Sequence, residues 1–322
     1  MEKLVLMLRA AGDPTRLRLL LLLRQAELTV SELIEIIGQS QPRVSRHLKL
    51  LCGAGLIERF KEGSWVFYRA TEEGRAAMLG AALSSLLEGP PEGDLKRLAA
   101  VRENRAAEAA AYFKANASEW GRIRSLYAPE REVEAAIVKH LAAETIQQLL
   151  DAGTGTGRML ELLAPHAKRA VGVDVSQEML TIARDKLMRG NLAHCQVRLA
   201  DTYRLPFDSG GALAGFDAVV FHQVLHYLDD PAAAVLEAAR VMRAGGRMLI
   251  ADFAPHELEF LRDDFAHRRL GFSDKEVTGW FHAAGLKPVA GEAIAPHPGS
   301  KEKLTVKVWV AESHAKSRAE AA

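Results

Sequence analysis

The chain has 322 residues, a hydrophobic fraction of 48% and a formal net charge of +1 at pH 7. Because single domains commonly hold about 100–200 residues, this length predicts about two domains, each able to bury a core. The balanced charge excludes a strong global field, so nucleic-acid binding would have to come from a local basic patch. The only cysteines, Cys52 and Cys195, lie far apart, which argues against a disulfide scaffold and excludes a thiolate-rich metal site within one chain.

Neither a membrane segment nor a cleaved leader is expected from the sequence. The longest leucine run, Leu19–Leu23, is far too short to cross a bilayer. The opening stretch MEKLVLMLRAAGDP lacks a cleavage pattern and predicts a short amphipathic helix. We therefore expect a cytoplasmic protein that has no membrane partner.

Short helices followed by a hairpin are predicted for residues 1 to about 75. Asp13 is placed to cap a helix that runs through TRLRLLLLLRQ. Thr29, with Glu32 three residues later, has the spacing of a capping box for a second helix. Ser40 is placed to cap a third helix, QPRVSRHLKLLCGAG. The segments LIERF and SWVFYRA, joined by KEGS, then predict a β-hairpin.

The third predicted helix is basic and follows two helices and a short turn, which is the order of a helix-turn-helix. Val44, Leu48 and Leu51 have helical spacing and are predicted to face the core. No acidic residue lies between Glu35 and Glu58, where a carboxylate would repel phosphate. Arg and Gln can read base edges, and cations of the hairpin can hold flanking phosphates. The predicted DNA-binding residues are Gln41, Arg43, Ser45, Arg46, His47, Lys49, Arg59, Lys61 and Arg69.

This N-terminal segment resembles a known family of regulators. GDPTRLRLLLLL and SQPRVSRHLKLLCGAGLIERFKEGSWVFYRAT are similar to ArsR-type winged-helix repressors over about the first 85 residues. The resemblance implies a homodimer that binds double-stranded DNA at a palindromic operator. The alternative is a solvated basic helix in an ordinary helical bundle.

The resemblance also bears on the signal that such a regulator would sense. Metal-sensing members carry cysteines before the recognition helix, or His and Asp ligands on the dimer helix. Here the corresponding stretches are SELIEI and AAMLGAALSSLL, which offer no ligand set for zinc or a soft metal. We therefore expect no metal, and we expect the sensor to lie elsewhere in the chain.

Residues 76–120 are rich in Ala, Glu and Arg and are predicted to be helical, with a break at EGPPEGD. This stretch separates two blocks of different character. We expect a winged helix-turn-helix domain for DNA binding and dimerisation at residues 1–88, a helical linker at 89–118, and a ligand-binding domain at 119–322.

The C-terminal block alternates apolar strands with helices, which predicts an α/β domain with a Rossmann-like, doubly wound parallel sheet. TIQQLLDAGTGTGRMLELLA predicts a strand, a Gly-rich loop and a helix, and glycines permit a tight turn and close approach of a ligand. Arg158 stands where a dinucleotide-binding loop has its third glycine, and no Lys-Ser/Thr follows. Neither a dinucleotide site nor a P-loop is therefore expected.

The next two predicted strands end in acidic residues. RAVGVDVSQEML places Asp174 about 20 residues after the loop, where a carboxylate can accept hydrogen bonds from ribose hydroxyls. CQVRLAD places Asp201 where it can meet an adenine edge. FDAVVFHQVLHYLDDP and MRAGGRMLIADF predict two further strands. The pattern predicts an adenosyl ligand at the carboxyl ends of the strands, the alternative being a different nucleotide on a similar sheet.

Together these motifs resemble the class I S-adenosylmethionine-dependent methyltransferases over roughly residues 110–312. The resemblance implies that DAGTGTG holds the methionine side of the ligand and that AAYFKANASEW closes over it. Many relatives have Cys where Thr154 stands, and we expect no loss of binding from this difference. The residues predicted to bind S-adenosylmethionine or S-adenosylhomocysteine are Tyr112, Trp120, Asp151, Gly153, Thr154, Gly155, Gly157, Asp174, Val175, Met179, Asp201, Thr202 and His222.

The sequence leaves open whether a methyl group is transferred. The sulfonium is already activated, and a base is needed only where the acceptor must lose a proton. His222 and His226 are candidates for such a base, or else they are pocket or helix-cap residues. Metalloid methylation would need several cysteines, and this domain has only Cys195. Residues 256–270 are too polar for a lipid or quinone pocket and predict a helical segment over the site or at a dimer surface.

The whole fusion resembles a bacterial group of S-adenosylhomocysteine-responsive regulators of methionine metabolism, including RRLGFSDKEVTGWFHAAGL and KLTVKVWVAE. The resemblance implies a repressor whose DNA affinity follows the balance of the two adenosyl ligands, with the helical segment 76–118 as carrier. One alternative is an active small-molecule methyltransferase with a regulatory DNA-binding domain. Another is a DNA-modifying enzyme, but FHQVLHY is not the Asn/Asp-Pro-Pro-Tyr/Phe type of motif that such an enzyme carries.

Overall fold

The computed structural model of the chain describes residues 2–62, 65–71, 74–87, 89–117, 130–142, 144–209, 215–296 and 304–314. The chain divides into two compact units, Met1–Glu108 and Ala109–Ala322. Across these described ranges, no helix is both long enough and apolar enough to cross a membrane.

The first unit is a winged helix-turn-helix. Its opening helices are α1 Glu2–Ala11, α2 Pro14–Leu23, α3 Val30–Ile37 and α4 Gln41–Gly53. Its small sheet contains β1 Leu28–Thr29, β2 Ile57–Glu62 and β3 Trp65–Ala70 in the order β1-β3-β2. The predicted hairpin is confirmed, since β2 and β3 pair antiparallel. Its turn residues 63–64 lie outside the described ranges, and the short strand β1 was not predicted.

Capping side chains begin two of these helices as predicted. The Asp13 carboxylate accepts hydrogen bonds from two backbone N–H groups in the first turn of α2, at 2.9 and 3.1 Å. Thr29 and Glu32 form a complete capping box at the start of α3. Ser40 precedes α4, but the described chain shows no capping bond from its side chain, so that expected cap is wrong. Pro42 in the first turn has no N–H to donate, and the N–H of Arg43 donates to the backbone carbonyl of Ser40 at 3.0 Å.

Two further helices complete the first unit, α5 Gly74–Leu86 and the beginning of α6 Glu92–Asn116. Leu98 and Val101 of α6 are 2% and 4% exposed and belong to the same apolar core as the helix-turn-helix residues Val44 and Leu48. The predicted linker region is therefore helical, and its first half is part of the packed core of the first unit.

The second unit contains a seven-stranded sheet in the order β6-β5-β4-β7-β8-β10-β9. Neighbouring pairs from β6 through β8 are parallel, whereas β10 is antiparallel to both β8 and β9. The strands are β4 Ile146–Ala152, β5 Ala167–Asp174, β6 Cys195–Leu199, β7 Phe216–His222, β8 Met242–Phe253, β9 Leu286–Ile294 and β10 Val306–Ser313. The predicted doubly wound α/β sheet is confirmed, and the antiparallel edge of β9 and β10 is an addition to it.

Helices cover both faces of this sheet. Adjacent residues of β4 show this, since Leu149 and Leu150 point into different apolar clusters on opposite sides. The helices are α7 Glu130–Leu141, α8 Arg158–Leu163, α9 Gln177–Arg189, α10 Pro231–Arg240, α11 Phe260–Phe265 and α12 Asp274–Ala283. The strand order reverses between β4 and β7, and ligands of such folds bind at the carboxyl ends of the strands beside this reversal.

Candidate functional site

The Gly-rich loop runs from β4 into α8 at the point where the strand order reverses. Gly153, Gly155 and Gly157 all have positive φ, at 77°, 52° and 84°. A Cβ on Gly153 would lie 2.5 Å from Cγ2 of Val224, on the loop that follows β7. The loop is therefore shaped by left-handed backbone and, at Gly153, by tight packing against the β7 loop.

Asp174, at the carboxyl end of β5, is tied directly to the Gly-rich loop. Its carboxylate accepts hydrogen bonds from the backbone N–H groups of Gly155 at 2.8 Å and Ser176 at 2.9 Å. Burial raises the pKa of Asp174 above its ordinary value, although these two N–H groups and that of Val175 favour the charged form. A ribose diol would supply further donors to this carboxylate.

The other predicted loop residues form a second contact. Asp151 is 1% exposed, and it accepts a hydrogen bond from the Thr154 hydroxyl at 2.6 Å. A Cys at the position of Thr154 could only donate weakly through sulfur. The Thr154 side chain therefore fixes the start of the loop to the end of strand β4.

The remaining predicted binding residues lie at neighbouring strand ends. Asp201 follows β6 and is exposed, and it accepts a hydrogen bond from the backbone of Tyr203 at 2.9 Å. Val175 is 57% exposed, so an apolar surface is available beside Asp174. Buried members of the set are Met179, Thr202 and His222. Binding of the ribose by Asp174 and of the base by Asp201 stays a prediction.

The end of α6 packs inside the second unit, next to these strand ends. The Phe113 ring lies 4.8 Å from that of Tyr227, and the Tyr112 ring lies 6.4 Å from that of Phe265. Lys114 pairs with Glu178 of α9 at 3.4 Å. The predicted closing segment thus holds Tyr112 near the β7 loop, whereas Trp120 lies outside the described residues.

A buried His–Asp pair lies on the same β7 loop. Nδ1 of His226 is 2.6 Å from Oδ1 of Asp252, and both side chains are 1% exposed. Asp252 also accepts backbone hydrogen bonds from Leu225 and Phe253. Sequence reasoning named His226 and missed Asp252. The available signal was an acidic residue within the apolar end of MRAGGRMLIADF.

The candidate DNA interface is the outward face of α4. Val44, Leu48 and Leu51 are at most 1% exposed, which confirms the predicted core face. The predicted contact residues on α4 and β2 are exposed except for half-buried His47: Gln41, Arg43, Ser45, Arg46, Lys49, Arg59 and Lys61.

Arg69 on β3 differs from the other predicted DNA contacts. It forms ion pairs with Glu27 at 3.3 Å and Glu58 at 3.1 Å, and its guanidinium lies 5.0 Å from the Phe60 ring centroid. Two carboxylates beside this cation oppose a phosphate at the same place. A phosphate contact from Arg69 stays a prediction that requires these ion pairs to open.

Comparison with known proteins agrees with this division of the chain. A family model described as the arsR family of bacterial regulatory proteins matches residues 13–59, and a methyltransferase domain model matches residues 150–250. An HTH-type transcriptional regulator of Methanocaldococcus jannaschii is 38% identical over 73 residues, which cover 22% of this chain and 82% of that protein.

The second unit has its own relatives. A protein of Mycolicibacterium smegmatis named as an S-adenosylmethionine-dependent methyltransferase is 30% identical over 185 residues, covering 52% of this chain and 66% of that protein. A chain of the Haloferax volcanii complex between the Trm112 methyltransferase activator and a methyltransferase has a TM-score of 0.52 at 22% identity. That likeness covers 63% of this chain and 97% of the solved one, and it shows the fold alone.

These relatives differ in how much of their length is matched. The chain spans about half to two thirds of the length of two relatives that are named as methyltransferases. It spans most of the Methanocaldococcus regulator. The chain therefore belongs to the ArsR family of bacterial regulatory proteins and carries a methyltransferase domain after its helix-turn-helix.

Proposed function

We propose that the protein is a transcription repressor whose methyltransferase domain binds S-adenosylmethionine or S-adenosylhomocysteine and so couples the state of the methionine cycle to operator affinity. The observation that carries this proposal is the continuous helix α6, Glu92–Asn116. One end of this helix is packed in the DNA-reading unit, and the other is packed in the methyltransferase unit.

Charged contacts support the role of α6 on the reader side. Asp94 is 1% exposed and pairs with Arg18 of α2 at 2.6 Å. Arg105, 9% exposed, pairs with Glu32 of α3. Helix α4 packs against α2 and α3. A shift of α6 would therefore move α4 and its DNA-binding surface.

Aromatic contacts support its role in the methyltransferase unit. The last turns of α6 carry Tyr112 and Phe113, which lie against residues of the β7 loop and α11. The two adenosyl ligands differ by a methyl group and a positive charge. A ligand changes DNA affinity only if it binds the two states unequally, and a hundredfold change requires about 2.7 kcal/mol of coupling.

A homodimer on a palindromic operator is part of the proposal. It is supported by apolar side chains on α1 and in the segment of α5 that are exposed in the single chain, and such surfaces commonly mark interfaces. These side chains are Leu4, Val5, Leu6, Leu8, Met78, Leu86 and Leu87. We propose a DNA-binding and dimerisation domain at residues 1–88, a helical connection at 89–118 whose first half packs into the core of that domain, and a ligand domain at 119–322.

The test measures affinity for a duplex selected from a random DNA library, with S-adenosylmethionine, with S-adenosylhomocysteine and without ligand. We expect at least one ligand to change the affinity of the native protein, and Asp174→Ala to lose this effect while keeping its ligand-free DNA affinity. Asp185→Ala is the matched control, because Asp185 is a half-exposed carboxylate of α9 paired with Arg189. A ligand effect that survives Asp174→Ala would contradict the proposal.

An active small-molecule methyltransferase with a regulatory DNA-binding domain is the second candidate. The observation that favours it is the buried pair of His226 and Asp252 beside the candidate ligand site. Sensing and catalysis are compatible, since both need the same adenosyl pocket.

A further inference from the structure

We propose that His226, held by Asp252, is the general base for methyl transfer to the phenolic hydroxyl of a small aromatic acceptor. The proposal rests on the proposed adenosyl ligand, and it adds an acceptor site and a reaction to it. The site consists of the His226–Asp252 pair, two further histidines and a surrounding set of aromatic rings.

The hydrogen bonds of Asp252 orient His226 as a base. Oδ1 of Asp252 lies 2.6 Å from Nδ1 of His226, and Oδ2 accepts the backbone N–H of Leu225 at 3.0 Å. A carboxylate can only accept here, so Nδ1 carries the proton and Nε2 keeps its lone pair. This is the tautomer that can take a proton from a substrate.

Three buried imidazole nitrogens, one in this pair and two near it, lack a hydrogen-bond partner among the described residues. They are Nε2 of His226, Nε2 of His256 and Nδ1 of His267. The ring centroids of His226 and His267 are 4.1 Å apart, and the His267 side chain is 7% exposed. Leaving a buried polar atom unpaired costs about 1–3 kcal/mol, so three in one place point to a polar ligand.

The cluster lies beside the candidate adenosyl site. Val224 packs against Gly153 of the Gly-rich loop, and His226 follows two residues later on the same loop. Asp252 is near the carboxyl end of β8, which runs parallel to β7. The base therefore stands at the strand ends next to the loop predicted to hold the methionine side.

The residues around His226 favour an aromatic acceptor whose hydroxyl loses its proton. Burial, with a smaller contribution from the Arg262 charge, lowers the pKa of His267 well below its ordinary value, and burial lowers that of His256 to about 4. Both are therefore neutral near pH 7 and can hydrogen-bond a hydroxyl. Arg262, 8% exposed, lies 3.8 Å from the Glu259 carboxylate and brings a positive charge into this region. The aromatic rings are those of Tyr112, Phe113, Tyr227, Phe253, Phe260 and Phe265.

The proposed step balances without a further reactant. The acceptor O–H gives its proton to Nε2 of His226 while the oxygen attacks the methyl carbon. An O–CH₃ bond forms and the S–CH₃ bond breaks, and its electron pair stays on sulfur. The products are the methyl ether, S-adenosylhomocysteine and a protonated His226, which returns its proton to solvent.

The first test measures proton transfer from a phenolic hydroxyl to His226 in the absence of methyl transfer. The probe is 4-nitrocatechol, whose visible absorption changes when it ionises, added to the protein with S-adenosylhomocysteine below the pH at which the free probe ionises. We expect the native protein to produce the ionised form and His226→Asn to lose it. An Asn amide can still donate to Asp252 but has no atom at the position of Nε2. The control is His282→Asn, at an exposed position on α12.

The second test follows methyl transfer from S-adenosylmethionine to catechol and 4-nitrocatechol. We expect His226→Asn to lower turnover by at least about 100-fold with S-adenosylhomocysteine affinity unchanged, which is the range of a lost general base. The titratable and charged groups around His226 are Asp252 on β8, Tyr227 beside it, Tyr112 on α6, and His256, Arg262 and His267 around α11.

Two outcomes would contradict the proposal that His226 is the general base. One is a native protein that binds S-adenosylhomocysteine but neither ionises the probe nor methylates either catechol. The other is a His226→Asn variant that keeps its melting temperature and both activities. DNA affinity and its ligand response are measured on the same variants, so a failure here is distinguishable from a failure of the proposed repressor.

Discussion

At the scale of single residues, the Gly-rich loop shows what the sequence could and could not reveal. The spacing of glycines predicted a tight turn, and the positive φ values of Gly153 and Gly157 agree with it. Ligand approach was the reason expected for these glycines. The structure adds neighbours that no local pattern encodes, since a Cβ would meet Val224 at Gly153 and Ala183 at Gly157.

Substitution of Gly153 separates backbone strain from side-chain collision. We expect Gly153→Ala to destabilise the second unit by about 1–2 kcal/mol through its left-handed backbone and by about 1–3 kcal/mol more through overpacking against Val224. Gly245→Ala is the control, because Gly245 has a φ of 74° and nothing within 4 Å of an added Cβ. Equal losses of melting temperature by calorimetry would show that the collision with Val224 carries no energy.

Asp174 gives ligand binding a pH dependence. Burial raises its pKa above the ordinary value of an aspartate, and ribose donors would favour the ionised form, so the bound state has the lower pKa. Binding then releases a proton, and affinity is full above the free-state pKa and falls as the pH drops through it. Calorimetric titration with S-adenosylhomocysteine should show this fall in the native protein, and a flat, weaker profile in Asp174→Asn.

At the scale of elements, local signals predicted those parts that depend on neighbours in sequence. The capping box of Thr29 and Glu32 and the β2–β3 hairpin are examples. Strand β1 and the antiparallel β9–β10 edge were not predicted, because a strand of two residues has no periodicity and an edge strand depends on distant partners. Asp252 was missed for the same reason, since its partner His226 is 26 residues away.

The contact between α6 and α2 offers a test at this scale. Asp94→Ala removes a buried carboxylate that holds Arg18 at 2.6 Å and Arg97 at 2.7 Å. We expect the free energy of unfolding of the first unit to fall by about 2–3 kcal/mol. Hydrogen exchange of its most protected amides measures this change. Glu92→Ala should change it by less than about 0.5 kcal/mol, because Glu92 forms an exposed pair with Lys96. Similar effects of the two substitutions would show that the buried pair is not special.

At the scale of the whole molecule, the continuity of α6 predicts where the coupling can be weakened. Ala107 and Ala111 are exposed positions of this helix between its two packed ends. Replacing both with Gly costs about 1 kcal/mol each in helix stability. We expect this double variant to keep its affinities for DNA and for S-adenosylhomocysteine and to lose most of the ligand effect on DNA binding.

The matched control makes the same double Ala-to-Gly change in the part of α6 that packs into the core of the first unit. Ala99 and Ala100 are also exposed, but they lie between the core residues Leu98 and Val101. We expect the Gly variant at these two positions to retain the ligand effect. An unchanged ligand effect in the variant at 107 and 111 would exclude α6 as the carrier.

The shared carboxylate of Glu32 has a consequence for how such proteins are recombined. It caps α3 through Thr29 and also binds Arg105, more than 70 residues further along the chain. A DNA-binding unit joined near residue 88 to another sensor would lack Arg105, the cation of this carboxylate, and would also lose Leu98 and Val101 from its core. Gene fusions that exchange sensors should therefore preserve the chain through about residue 105, and junctions close to residue 88 should yield poorly folded hybrids.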